Sequence, residues 1–542
     1  MESNRLEVAN SVADPRVRRY VRPCRVVWQS EGVDASGLLG DGACAMKFGD
    51  GAPGFLLDFG RELHGGVQIE RGLVGGHDPV RLRVRFGESV SEAMGEPNND
   101  HAIHDNTCAA PWYGHVEIGN TGFRFVRIDL VDPGTEIDIL RVQAVFLYRD
   151  LEYRGAFECS DERLNRIWQT GAYTVHLCMQ DRLWDGIKRD RLVWLGDMHP
   201  ETMVIGTVFG EADVVPISLD YVRDGTPIPG WMNGISSYSI WWVLIQRDWY
   251  VYHGNRAYLE AQRDYLLDVL ALLRSQVGDE CQETMGNHRF LDWPSSGDAT
   301  AIHAGLHALL VMGLEAGAYL CDVLDKAATA RECLETARRL RTHRPEPTPS
   351  KVANALLALA GLRDAVEVNR DVLAVEPLKR VSTFYGYYVL QARALAGDYA
   401  GALDLIRSYW GAMLDRGATT FWEDFNLDWL PGAAGIDDLV PEGMKDIHGD
   451  FGDHCYKGLR HSLCHGWAGG PTAWLSQHVL GVRPVEPGGG VVRVKPNLAG
   501  LEFARGRFPT PHGILSVEHC AAQDGRIETR IDAPDEIRVV TE

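Results

Sequence analysis

The chain has 542 residues, is 45% hydrophobic and carries a formal net charge of -21. That length and apolar content suit a soluble globular protein with a large buried core, built from several domains or around one large helical toroid. The negative balance disfavours nucleic acid and anionic membrane surfaces as partners and weighs mildly against strongly acidic polymers, so neutral ligands are favoured.

The opening residues 1–20 lack an apolar core of signal-peptide length, and no stretch approaches the ~20 apolar residues that span a bilayer. The eleven cysteines are odd in number and scattered, with no CxxC pair. Cys455 and Cys464 are nearest each other, and their surroundings do not repeat a zinc spacing. A reduced, cytoplasmic protein is expected, each cysteine serving as a small buried hydrophobe.

The first roughly 150 residues follow the period of a half-buried strand. Val80 to Phe86 alternates strictly, placing Val80, Leu82, Val84 and Phe86 on one face of a sheet. A similar run starts at Phe123-Arg124-Phe125, then changes phase so that Val126, Ile128 and Leu130 take over, which predicts a bulge. A β-sandwich follows for residues 1–155. The period changes near Ser160, a good N-cap followed by Asp161 and Glu162, with Leu164, Ile167, Trp168 and Val175 on one face. Helical patterns then dominate, among them 257–273, 304–324, 327–340, 353–362 and 387–396, with breakers at 343–349 and 430–432. Roughly a dozen helices of ordinary length fit, and no repeat of fixed period indicates a solenoid. After the Pro- and Gly-rich 484–490 the strand signal returns in 491–494, 514–517 and 537–540. The predicted domains are therefore β (1–155), helical (156–482) and β (483–542).

Several chemistries are absent from the pattern. There is no GxxxxGK[ST], no GxGxxG after a convincing strand, no HExxH and no GxSxG, and the nineteen histidines do not cluster at ligand spacing. No cofactor or metal is expected; the many acids would allow calcium, but no EF-hand loop is present. What remains is carboxylates set among aromatics, in 184–197, 290–298 and 417–425. An indole face packs against the C–H face of a sugar while carboxylates bind its hydroxyls. Two carboxyl groups in different environments also supply the acid and base of glycoside hydrolysis. Asp185 and Asp197 would raise the pKa of Asp190 and Arg189 would lower it, so the sign stays open. Alone, 185–191 reads equally well as a turn with surface ion pairs, and Asp292-Trp293 as a loop acid beside a core indole.

In three places the sequence resembles the inverting α-L-rhamnosidases of the six-hairpin (α/α)6 glycosidases. These are Asp185 with Arg189-Asp190 and Trp194-Leu195-Gly196-Asp197, then Thr420-Phe421-Trp422-Glu423, then Ser462-Leu463-Cys464-His465 with its following glycines, leading to Gly481-Val482-Arg483-Pro484. The matches keep the family's order over about residues 155 to 520. The resemblance implies a central (α/α)6 toroid flanked by antiparallel β-sandwich domains, with Asp190 as general acid and Glu423 as general base. It implies that Asp185, Arg189, Trp194, Asp197, Trp422 and His465 serve the sugar, with Asp292 and Trp293 near the pocket. Many members carry glutamate as the acid, where this chain has the shorter Asp190. The implied ligand is a small or oligosaccharide rhamnoside, and a homodimer is compatible with the sequence. Two other readings stand beside it: a different (α/α)6 enzyme such as a lyase, drawing on Tyr385-Gly386-Tyr387-Tyr388, and a glycan-binding protein without catalysis.

Overall fold

The computed structural model describes residues 13–541 apart from 97–99, 101 and 287. The N-terminal region is an antiparallel sheet of eight strands: β1 (Val17–Val21), β2 (Arg25–Gln29), β3 (Cys44–Lys47), β4 (Gly54–Arg71), β5 (Val80–Gly87), β6 (Asp105–Ala110), β7 (Gly114–Leu130) and β8 (Glu136–Tyr148). Their order is β1-β8-β4-β7-β5-β6, with β2 on β4 and β3 on β8. The alternation of β5 holds: Val80, Leu82, Val84 and Phe86 join Phe123, Val126 and Ile128 in one core. Phe125 turns to the opposite face, where Leu56, Val90 and Ala93 cover it. The predicted irregularity is a break in the β4–β7 register, where Asp58 faces Phe125 but Leu63 faces Phe123, so the extra residues lie in β4.

The same strand fastens this sheet to the helical region. Arg124 is buried and donates from Nε and Nη2 to the Asp58 carboxylate at 2.9 Å each, and from Nη1 to the Gly417 carbonyl at 3.0 Å. At Gly122 the two regions approach so closely that a Cβ would stand 2.7 Å from Ile187 Cγ1 and 3.0 Å from the Lys188 nitrogen. Glycine is required there by contact with the 185–192 loop.

Between the sheets, six helices close a ring: Leu195–Val208, Ser236–His253, Ala299–Val323, Lys351–Leu359, Gly386–Leu395 and Gly470–His478, each packed on the next and the last on the first. Other helices pack outside them. The two layers differ as their positions require. Every residue of Leu195–Val208 except Met203 is buried, whereas Ala327–Leu340 buries only the stripe Ala330, Cys333, Ala337 and Leu340. Ala299–Val323 is long and apolar enough to cross a bilayer, which the sequence reading did not expect, but 83% of its apolar window is buried within the ring. Encirclement by other helices explains its composition.

Two further details depart from expectation. The first helix, Glu162–Cys178, is capped by Asp161, which accepts from the Arg163 and Leu164 nitrogens. Ser160 instead accepts the Glu502 N–H, at 2.9 Å. The preceding strand Ala156–Cys159 pairs with Phe503–Thr510 in a four-stranded C-terminal sheet, so the helical region begins on that sheet and leads out, through Val482–Pro484, into a three-stranded one. In the neighbouring three-stranded sheet Val491–Val494 runs parallel to Arg538–Thr541, because the chain crosses through the four-stranded sheet between them. The eleven cysteines are all free; Cys24 and Cys520 are exposed rather than buried.

Arg124→Met is expected to destabilise the protein by about 3 kcal/mol, because it leaves Asp58 buried without its bidentate partner. Equilibrium urea unfolding measures this; an unchanged midpoint would show that Arg25, also beside Asp58 at 3.2 Å, suffices.

Candidate active site

The loops that enter the ring helices gather at one mouth and enclose a cavity of about 320 Å³. Its wall includes Asp185, Arg189, Asp190, Trp194, Asp197, Trp293, Glu423 and His465. Residues separated by more than two hundred positions thus meet, as the three sequence segments suggested.

The first segment is shaped by Asp185. Its backbone N–H donates to the Leu192 carbonyl at 3.0 Å and its Oδ1 accepts the Leu192 N–H at 2.9 Å, closing residues 185–192 into a loop. Arg191, at φ 60°, takes the left-handed turn that a non-glycine residue rarely adopts. The turn directs Arg191 away, to the Asn120 carbonyl. Asp197 stands in the first turn of the helix Leu195–Val208, where the helix dipole favours a carboxylate. Asn233 clasps both sides of Trp194, donating to the Val193 carbonyl (2.9 Å) and accepting from the Leu195 N–H (3.2 Å).

The second and third segments run side by side. Glu423 N–H donates to the Ser462 carbonyl and His465 N–H to the Phe421 carbonyl, each at 3.0 Å. The Glu423 carboxylate receives Arg189 Nη2 at 2.7 and 2.6 Å and the Ser462 N–H at 3.1 Å. Its own carbonyl is taken by Thr383 Oγ1 (2.6 Å) and Trp467 Nε1 (2.9 Å). Arg189 also reaches Asp190 Oδ1 with Nη1, at 3.4 Å. One guanidinium therefore spans both carboxyl groups, one sealed and one open: the Glu423 side chain is 4% exposed and that of Asp190 34%.

Burial controls the charges. It raises the pKa of Glu423, while the Arg189 charge opposes the shift and favours the ionised form. Asp185 is pushed up to about 8 by burial and then by the charge of Asp190. Asp197 is raised well above the ordinary carboxylate range by burial and by Asp185. Burial pulls His465 down to about 4, so it is neutral near pH 7. Its Nε2 lies 3.6 Å from Asp185 and 3.5 Å from Glu423, and its Nδ1, 3.8 Å from Asp197, has no hydrogen-bond partner among the described residues. The floor thus presents neutral, buried donors and acceptors, the composition suited to hydroxyl groups. Among the described residues no group of three His, Cys, Asp or Glu side chains is arranged to hold a metal.

Two expected sugar contacts are not on this wall. Trp422 is 1% exposed and packs edge-on against Phe425 and His461, so its indole belongs to the core. Asp292 uses its carboxylate on Ser295 and Ser382 and lines a neighbouring cavity. Trp293 does line the wall, edge-on to Phe290 and Tyr456. Tyr385, Tyr387 and Tyr388 are buried in or beside the helix Gly386–Leu395 and do not reach the cavity, which removes the residues on which a lyase reading drew. The wall also contains Asn233, Tyr238, Cys455, Tyr456 and Trp467, which sequence reasoning missed. Of these only Trp467 lay in a motif, two residues after His465.

The chain is similar to several known proteins. Residues 152–344 match the bacterial alpha-L-rhamnosidase 6 hairpin glycosidase domain family. An alpha-L-rhamnosidase of Alteromonas sp. (strain LOR) is 25% identical over 527 residues, covering 87% of this chain and 54% of its own length. The chain thus spans about half of that relative. Among solved structures, the GH78 family rhamnosidase of Bacillus sp. GL1 superposes with a TM-score of 0.76 at 22% identity, covering 94% of this chain and 56% of that one. The Klebsiella oxytoca rhamnosidase with rhamnose bound gives 0.68 at 19%, covering 85% and 95%. At these identities the superpositions establish a shared fold.

Asp185→Asn tests the charge assignment. Between pH 3.8 and about 8 the folded protein holds an Asp185 proton that the unfolded chain releases, so this contribution to stability is full below that window and is lost as pH rises through it. The variant is expected to flatten the decline of unfolding free energy between pH 5 and 8 by up to about 1.4 kcal/mol per pH unit. An unchanged slope would show that Asp185 is ionised in the folded protein.

Proposed function

We propose that the chain, whose residues 152–344 match the bacterial alpha-L-rhamnosidase 6 hairpin glycosidase domain family, removes α-L-rhamnose from small rhamnosides or oligosaccharides with inversion at the anomeric carbon. Asp190 is the general acid and Glu423 the general base. One observation carries the reading: a single guanidinium spans an open and a sealed carboxyl group on a cavity walled by indoles. An inverting pair requires a separation of ~6.5–9.5 Å, room for the attacking water.

The steps follow from those positions. Asp190, facing the open side, gives its proton to the glycosidic oxygen as the bond to the anomeric carbon breaks. Glu423, whose ionised form the Arg189 charge favours, takes a proton from a water that attacks the opposite face of that carbon. The water oxygen becomes the new anomeric hydroxyl, so an α-rhamnoside yields β-L-rhamnose and a free alcohol. Asp185 and Asp197, neutral at their raised pKa values, together with the neutral His465 and the faces of Trp194 and Trp293, hold the sugar. A cavity of about 320 Å³ lies at the small end of the ~300–1,000 Å³ range for ligand sites and fits one sugar unit.

Wild type, Asp190→Asn and Glu423→Gln incubated with an aryl α-L-rhamnoside and followed by proton NMR test this. Wild type should release β-L-rhamnose first, and each variant should lose at least ~10²-fold in kcat, the scale of one proton-transfer residue. Release of α-L-rhamnose first would overturn inversion. Cleavage of other glycosides but not rhamnosides would replace the sugar, and sugar binding without cleavage of any glycoside would leave a glycan-binding protein.

A further inference from the structure

Next to Arg189 the chain buries a second cation that never reaches the cavity. Lys188 is 1% exposed, and its Nζ lies 3.0 Å from Glu92 and 3.7 Å from Glu88, both buried residues of the N-terminal region. The same ammonium donates to the carbonyls of Leu459 and, at 2.9 Å, His461. Glu88 grips this segment from the other side: its Oε2 accepts the Leu463 N–H at 2.6 Å and its Oε1 the Ser462 hydroxyl at 3.2 Å. The N–H of Ser462 is the backbone donor on the Glu423 carboxylate. A third tie comes from His448, between the Ser89 hydroxyl (2.7 Å) and the His461 carbonyl (2.8 Å).

We propose that Lys188 is a positioning residue for Glu423, acting through Glu88 of the N-terminal sheet region and the backbone of residues 459–463. This rests on the reading of Glu423 as the base. The contacts are arranged in series: a buried ion pair at 3.7 Å from Lys188 to Glu88, then buried hydrogen bonds from Glu88 to the segment and from the segment to Glu423. Lys188 and Glu88 fix the segment, the segment presents the Ser462 N–H, and that N–H with Arg189 sets the Glu423 carboxylate where the attacking water must be met. The sugar contacts at Trp194, Asp197 and Trp293 lie outside this chain of bonds. Loss of Lys188 should therefore slow the chemical step and leave sugar binding in place.

The test is steady-state kinetics with an aryl α-L-rhamnoside, L-rhamnose binding by calorimetry and pH–rate profiles, on wild type, Lys188→Met and Glu88→Gln. A base misplaced from a distance costs on the order of 10²-fold, so that loss in kcat is expected for Lys188→Met, with L-rhamnose affinity unchanged. A weakened Ser462 bond raises the pKa of Glu423, so the acidic limb of the kcat profile should move to higher pH. Glu88→Gln keeps an acceptor for the Leu463 N–H and should show a smaller loss in the same direction; it decides alone if Lys188→Met does not fold. Unchanged kcat and acidic limb in a folded variant, or kcat and sugar affinity falling together, would overturn the role. An active wild type beside unaffected variants refutes Lys188 alone, and a silent wild type refutes the hydrolase reading and this role with it.

Discussion

Burying the Arg189 guanidinium against Glu423 takes two charges out of water, and such a pair holds only where every remaining polar atom is also satisfied. Much of the surrounding structure meets that demand. Arg189 Nε donates to the Arg460 carbonyl at 3.0 Å, and the Tyr456 ring lies beside the guanidinium at 5.8 Å. Ser462 supplies a backbone N–H to the carboxylate, and Thr383 and Trp467 fix the Glu423 main chain. The N-terminal sheet region closes the arrangement from behind, through Arg124 on the Gly417 carbonyl and Glu88 on the Leu463 nitrogen. That region is part of the architecture of the site as well as an addition to the ring.

The pair also organises the other charges. With Arg189 committed to Glu423, the deeper acids Asp185 and Asp197 have little positive charge to stabilise an anion, and burial keeps them protonated. Asp190 is the more exposed of the two carboxyl groups that Arg189 touches. That openness leaves Asp190 within reach of a glycosidic oxygen, as its proposed role requires.

The sequence was most legible where one local period governs. The alternation of Val80, Leu82, Val84 and Phe86 in β5 appears as read, although Arg85 on the other face is buried too, and the helix 327–340 buries a single stripe. The clustering of Asp185, Arg189, Asp190, Trp194, Asp197, Glu423 and His465 was legible through the resemblance, because spacing within each motif survives although the motifs lie far apart. What was not legible depends on contacts that no local pattern records. Trp422 and Glu423 are adjacent, so an extended chain must point them in opposite directions, and only one can face the cavity. Asp292 is taken by Ser295 and Ser382, the second of them ninety positions away. Ser160 gives up the helix cap because strand pairing brings Glu502 to it. Tyr456 and Asn233 reach the wall from loops without periodicity, and Glu88 meets Lys188 only after two regions have docked.

The most direct test of this account is a crystal structure of the protein with L-rhamnose bound. The sugar ring is expected in the Arg189-lined cavity, with its anomeric carbon between the Asp190 and Glu423 carboxyl groups and its hydroxyls on Asp185, Asp197 and His465. Rhamnose seated in the neighbouring Asp292 cavity, or bound with its anomeric carbon remote from Glu423, would contradict it.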